Sequence, residues 1–297
     1  MTNVFETFSD AYSSVVAEVM KMGLRCEPVI DNTSVGSQFG EKFRETKEIV
    51  GHQFTVRQPR SRSVCSPVRE VSDTFCRANF VWTLTGGSDV EGVSFYNPRG
   101  RVFAKKSAFY EAAFGARLFY PFQQFRLVEE RLRKDPASRR GLAMIYIPED
   151  TQVDKLDTPC AAYLHFMIRD NRLICICNMR SQSALMVLPY DFHLFTLIQE
   201  CLAVRLELEL GEIIYTSNSF HIYSDEFSHA EDFLSSGCEA KPIDPHMQHA
   251  DDDTIKALIA EEQRIRLLSE YDSKGSTALD EYWERFLEPL RKFCSSI

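Results

Sequence analysis

The chain has 297 residues, 44% of them hydrophobic and 26% charged, which is enough apolar material for a packed core and an ordinary charge load for a globular protein. Its formal net charge of −9 argues against a general nucleic-acid binder, whose footprint is basic, but leaves room for a small phosphorylated ligand held by a few local arginines. No apolar run approaches the roughly 20 residues needed to span a bilayer, and Glu6, Asp10 and Glu18 interrupt any leader-like start, so the expectation is a cytoplasmic protein without a membrane partner.

In chain order, residues 4–22 carry apolar side chains at helical spacing and Gly23 is a plausible stop. Residues 31–47 are polar and contain glycine, and read as a mobile loop. Residues 51–59 alternate like a strand, 69–84 have helical period up to Gly86-Gly87, and short helices are expected near 107–114 and over 121–134. A turn over 135–140 leads to a strand over 142–148. The clearest piece is 161–179, two strand-like runs flanking Asp170-Asn171, a strong hairpin signal. A long helix over 189–207 starts at Pro189, and 212–218 and 219–225 read as two further strands. Beyond 230 an acidic, proline-interrupted loop precedes helices over 252–270 and 277–293. With no repeats and no linker, one α+β domain over 1–297 is the simplest account, with 230–297 as a helical C-terminal extension.

The nine cysteines are scattered, odd in number and free of C-x-x-C pairs, so neither a disulfide framework nor a zinc site is expected. Cys175 and Cys177 share one face of a strand and read as core filling. Cys160 differs in setting: it follows Thr158-Pro159 and opens a strand. Arg180-Ser181 closes the hairpin that Cys160 opens, and Arg139-Arg140 lies between a turn and a strand. Guanidinium forks match phosphate oxygens bidentately and a serine hydroxyl adds a neutral donor. Taken singly, each of these reads better as an inert cysteine or a surface charge.

The run from Pro159-Cys160 through Asn178-Met179-Arg180-Ser181, Leu188-Pro189-Tyr190-Asp191 and Ser219-Phe220-His221-Ile222-Tyr223 resembles the thymidylate synthase superfamily, and most resembles members that hydroxymethylate cytosine nucleotides. Upstream, Asp135-Pro136-x-Ser138-Arg139-Arg140 and Phe114-Gly115-x-Arg117 fit further family motifs, so the resemblance covers about residues 42–225. It implies a thymidylate-synthase-like mixed sheet packed with helices, in a homodimer. It also implies a pyrimidine nucleoside monophosphate as substrate and 5,10-methylenetetrahydrofolate as one-carbon donor. Cys160 would add to C6 of the pyrimidine, making C5 a carbon nucleophile that attacks the one-carbon unit. Arg180 and Ser181, with Arg139 and Arg140 of the opposite subunit, would hold the phosphate. Lys42, with Arg44 as the alternative, would add a contact from the loop, and His221 and Tyr223 would bond the sugar hydroxyl. Arg180 beside the thiol is expected to favour thiolate.

Asp191 stands where members acting on uracil carry asparagine. A carboxylate accepts from the exocyclic amino group of cytosine, and in protonated form it also donates to N3. The bland alternative is a helix N-cap aspartate. Four positions depart from the family: Asn79 for a glutamate, Phe114 for a tyrosine, Ser183 for an aspartate that contacts the pterin, and Ala161 for a histidine. The two tryptophans, Trp82 and Trp283, fall in helical stretches rather than in the loop after Gly86-Gly87, an absence that suits capture of the C5 intermediate by water. Three readings stand: a (d)CMP 5-hydroxymethyltransferase, a thymidylate-synthase-type methyltransferase, and a nucleotide-binding homologue without turnover.

Overall fold

The computed structural model describes residues 3–28, 44–104, 107–152, 155, 157–267 and 279–297. Lys42 and most of the expected 31–47 loop lie outside them. The chain opens with β1 (Asn3–Phe5) and α1 (Phe8–Met22), which starts where the Thr7 hydroxyl accepts the Asp10 N–H. The face of α1 carrying Phe8, Tyr12, Val15 and Val19 is fully buried. Next come β2 (Leu24–Cys26), β3 (Thr46–Val56) and the short β4 (Val64–Cys65). The helix expected over 69–84 begins only at Asp73: α2 spans Asp73–Leu84, because Ser72 caps it by accepting the Phe75 N–H while Arg69 turns inward to the Leu185 and Met186 carbonyls.

No helix forms over 107–113. The helical turns of this region are α3 (Val90–Ser94), α4 (Arg101–Ala104) and α5 (Phe114–Leu118), and α6 spans Gln124–Lys134. The expected strand over 142–148 is confined to β5 (Gly141–Met144). β6 (Ala161–Arg169) and β7 (Arg172–Met179) form the expected hairpin, with Asp170 and Asn171 at φ 49° and 58°, the left-handed pair that a two-residue turn needs. After β8 (Gln182–Ser183) comes α7 (Leu188–Arg205), with Pro189 in its first turn.

The two strands expected over 212–225 are one, β9 (Glu209–Tyr223). Asn218 and Ser219 read as a break, but β9 pairs with β3 in one register on both sides of them. β3 pairs Val50 with Ser219 and His52 with Ser217, which leaves Gly51, at φ 69°, opposite Asn218. Glycine reaches that conformation without steric penalty, so both strands continue. Gly51 is therefore mid-strand, not the strand start. α8 (Phe227–Ser236) occupies part of what reads as loop, followed by β10 (Glu239–Ala240), α9 (Asp252–Leu267) and α10 (Glu281–Cys294).

The main sheet runs β1-β3-β9-β7-β6-β5, with β2 on β3 and β8 on β9, and mixes parallel and antiparallel pairs. This is the expected α+β architecture. One face is covered by α1 and by α7, which is buried all round, as an apolar-all-round helix must be. α2 packs on α7, and α9 and α10 pack on α2. Trp283 of α10 is fully buried and stacks on Phe80 of α2 at 6.3 Å, so the C-terminal stretch contributes core. On the opposite sheet face, Leu142, Met144, Tyr163, Ile176 and Ile214 remain part-exposed. All nine cysteines are free, with Cys175 and Cys177 buried as expected. Among the described residues no helix is long and apolar enough to cross a membrane, and no cluster of His, Cys, Asp or Glu could hold a metal ion.

Candidate active site

The hairpin and the ladder around β9 bring the candidate residues to one end of the sheet. Ala161 pairs with Met179, and the Arg180 N–H donates to the Cys160 carbonyl at 2.8 Å, so Cys160 and Arg180 sit side by side where β6 begins and β7 ends. The Arg180 guanidinium folds back on the turn before the cysteine. Its Nε donates to the Pro159 carbonyl at 2.9 Å, and Nη2 donates to the Thr158 carbonyl and hydroxyl at 3.1 and 2.9 Å. Beyond it, β8 runs parallel to β9 with Gln182 beside Phe220 and Ser183 beside His221. The Ser181 hydroxyl lies 3.4 Å from His221 Nδ1. Tyr223 follows two residues on, its ring edge against His221 and its face under the Arg44 guanidinium at 3.7 Å. Arg44 also makes a bidentate contact with Asp225, at 2.7 and 2.6 Å from Nη2.

Cys160 is exposed to solvent yet crowded by protein. That crowding pushes its thiol above the ordinary range, Asp191 and Asp157 push the same way, and Arg180 pulls it down. Arg180 thus favours thiolate, as expected, but desolvation outweighs it. Asp157, three residues before Cys160, is itself raised by burial while accepting the Ala112 N–H at 2.9 Å.

Asp191 is 8% exposed and lies in the first turn of α7, which begins at Leu188. It caps no backbone N–H; its Oδ2 instead accepts from Gln182 Nε2 at 3.0 Å, which removes the N-cap alternative. Burial raises its carboxyl to about 7 despite that donor. Gln182 in turn accepts from the Tyr215 hydroxyl through Oε1 at 2.7 Å. Tyr215 is fully buried and its hydroxyl is held protonated far above its usual range by desolvation, with Cys177, Asp191 and Cys160 adding to the effect. Burial also lowers His221 to about 4, so the ring is neutral at physiological pH and can donate from one nitrogen and accept at the other. Gln182 and Tyr215 were not singled out by sequence reasoning. The only available signal was a polar residue directly after Arg180-Ser181.

Arg139 and Arg140 are not brought into this group. They precede Gly141, which pairs with Phe166, so they lie toward the far end of β6, roughly 20 Å from Cys160 at the rise of a β-strand. Both are exposed. His52 and Glu91 are engaged elsewhere: His52 with Glu18 at 3.0 Å and Glu91 with Arg101 at 2.5 Å. Arg117 is buried against Asp150 at 3.1 Å and supports the fold. Phe114 stacks on Phe195, one helical turn after Asp191. Trp82 belongs to α2, as expected, and its indole N–H donates to the Asp89 carbonyl at 3.1 Å.

Residues 94–277 match the family model for thymidylate synthase. The chain belongs to the thymidylate synthase family. Its relatives include the deoxyuridylate hydroxymethyltransferase of Bacillus phage SP01, 27% identical over 207 residues, which cover 65% of this chain and 54% of that protein. The thymidylate synthase of Staphylococcus haemolyticus is 30% identical over 115 residues, 38% of this chain and 36% of that protein. The chain thus spans about half or less of the length of these curated relatives. Among solved structures, thermostable thymidylate synthase A from Bacillus subtilis superposes with a TM-score of 0.68 at 18% identity, covering 84% of this chain and 93% of that one; this likeness shows the fold. In the family frame Ser183 offers only a hydroxyl, 9% exposed, which accepts the Met186 N–H at 3.3 Å.

Proposed function

We propose that this family member is a pyrimidine nucleotide C5 hydroxymethyltransferase acting on dCMP or CMP. The observation that carries the reading is the convergence of Cys160, Arg180-Ser181, Asp191 and His221–Tyr223 at one end of the sheet, with a buried carboxyl titrating near neutrality among them. Arg180 and Ser181 bind the phosphate, and neutral His221 and Tyr223 bind the sugar hydroxyl. Cys160 adds through sulfur to C6 of the base, and C5 becomes nucleophilic as the electron pair moves onto it. Asp191 faces the N3/C4 edge. At neutral pH both of its protonation states are populated, the condition under which one group can give and take a proton. The kinship with a phage hydroxymethyltransferase supports the transfer of a one-carbon unit, while Asp191 in place of asparagine is the argument for cytosine over the deoxyuridylate named for that relative.

Methylenetetrahydrofolate is the donor that family membership implies, and when bound it supplies the one-carbon unit. The reading includes a homodimer. Arg139 and Arg140 sit too far along β6 to meet the phosphate at Cys160 of their own chain, and the part-exposed apolar sheet face offers a surface for a second copy. Lys42 is proposed as a phosphate contact on the resemblance alone. The domain is taken as 1–297, because Trp283 and Leu287 pack into the core beside α2. A second reading, a nucleotide-binding homologue without turnover, is favoured by Asn79 and Phe114, which carry neither carboxyl nor phenol.

Tritium release from [5-³H]dCMP and [5-³H]CMP, with and without methylenetetrahydrofolate, on wild type and Cys160→Ala, tests the proposal. Release that requires Cys160 and the folate, with dUMP inert, is expected. Absence of release from every pyrimidine nucleotide, despite measurable binding, overturns it in favour of the second reading.

A further inference from the structure

A buried carboxyl near neutrality poses a recognition problem that Asp191 cannot solve alone. The ionised carboxylate is an acceptor at both oxygens and rejects the donor–acceptor edge of uracil at O4. The neutral acid is ambivalent: one oxygen donates and the other accepts, and moving the proton between them swaps the pattern. With the hydroxyl toward N3 and the carbonyl toward the exocyclic position it matches cytosine; with the proton on the other oxygen it matches uracil. Selectivity then requires something that fixes the proton's location.

We propose that Gln182, oriented by Tyr215, fixes which oxygen of Asp191 carries the proton and so makes the site discriminate between the two pyrimidine bases. This rests on the reading that Asp191 meets the base edge. The chain of contacts is short and almost dry: Gln182 is 1% exposed, Tyr215 0% and Asp191 8%. The Tyr215 hydroxyl stays protonated and donates to Gln182 Oε1 at 2.7 Å. The amide cannot flip without leaving that hydroxyl hydrogen buried and unpaired, and an unmade buried hydrogen bond is costly. The flip state is therefore set, and Nε2 faces Asp191 Oδ2 at 3.0 Å. A carbonyl oxygen is a better acceptor than a hydroxyl oxygen, so the N–H favours the tautomer with its carbonyl at Oδ2 and its proton on Oδ1. Oδ2 keeps a second lone pair for the ligand. With Oδ2 toward the exocyclic amino group and Oδ1 toward N3, this is the cytosine pattern. Cys160 and Cys177 are the other titratable neighbours of Tyr215; the protein packed around them pushes both thiols up, which favours the neutral form and keeps competing charge off the network.

The roles of the two residues are positioning ones, and the experiment separates them from mere structural support. Full-length wild type, Gln182→Leu and Tyr215→Phe are titrated with dCMP and with dUMP at pH 7. In parallel, the Asp191 carboxyl is titrated by ¹³C NMR. The expected result is a wild-type preference for dCMP that collapses at least tenfold in both variants, chiefly by gain of dUMP binding. The Asp191 titration should also move up by about one pH unit in Gln182→Leu, as a donor to the carboxylate is lost. Tyr215→Phe removes a single oxygen and guards against a folding defect in the leucine variant. A dCMP:dUMP ratio unchanged in both variants overturns the inference, as does a parallel loss of both affinities with the ratio intact. A wild type that prefers dUMP overturns the cytosine assignment under Proposed function but not the role of Gln182, which is then judged by the same collapse of the ratio. Failure of wild type to bind either nucleotide overturns both.

Discussion

Replacing Asp191 with asparagine keeps the side chain's shape and its acceptor for Gln182 Nε2 while removing the ionisable group. Burial raises the carboxyl from its ordinary 3.8 to about 7 in the folded protein, so between those limits the folded state holds a proton that the unfolded state has released. Stability from this group is fully present below about pH 4 and is lost as pH rises towards 7. Three pH units at 1.36 kcal/mol each make the ionised aspartate a liability of up to about 4 kcal/mol above pH 7, and 2–4 kcal/mol is a fair range once local relaxation is allowed. The Asp191→Asn protein should therefore match wild type in urea unfolding near pH 4. Its advantage should grow through pH 5 and 6 and level off above about pH 7.5, at fixed protein concentration so that any self-association contributes equally. Only the difference curve is diagnostic. His221, lowered to about 4, acts in the same window with opposite sign, and the two partly cancel in wild type. A difference that stays flat from pH 4 to 8 would refute the claim that Asp191 is buried as an uncompensated acid.

Three further outcomes are expected. His221→Gln should show the mirror-image difference curve: because the folded-state pKa of the histidine lies below its unfolded value, the variant gains relative stability as pH falls from about 6.5 to 4, and no gain there would place the ring in water. Trp283→Ala should cost about 3–5 kcal/mol, the range for a buried large aromatic, read as a lower urea midpoint; a loss under about 1 kcal/mol would make the C-terminal helix peripheral. Mixing Cys160→Ala subunits with Arg139→Ala/Arg140→Ala subunits after co-refolding should restore tritium release to roughly a quarter of the wild-type level, since a hybrid C2 dimer holds one intact site of two. Activity no higher than in either parent would mean that the arginines serve their own chain or none.

Much of this protein was legible in its sequence because local patterns and spacing survive folding. The Asp170-Asn171 hairpin could be placed because a two-residue turn needs left-handed backbone, which those residues tolerate. Helix 188–205 announced itself through Pro189 and a long apolar run. The spacing of Cys160, Arg180-Ser181, Asp191 and His221–Tyr223 pointed to one family. Three kinds of fact came only from the tertiary structure. Strand β9 is continuous through Asn218 because β3 pairs with it in one register on both sides, and pairing across a ladder leaves no trace in either segment alone. The remoteness of Arg139 and Arg140 from Cys160 follows from register along β6, which sequence separation does not encode. The protonation of Cys160 and Asp191 is set by desolvation, and burial belongs to the assembled layers rather than to the residue. For the same reason Gln182 and Tyr215, 33 residues apart, became partners only when β8 was laid beside β9 and both closed over the start of α7.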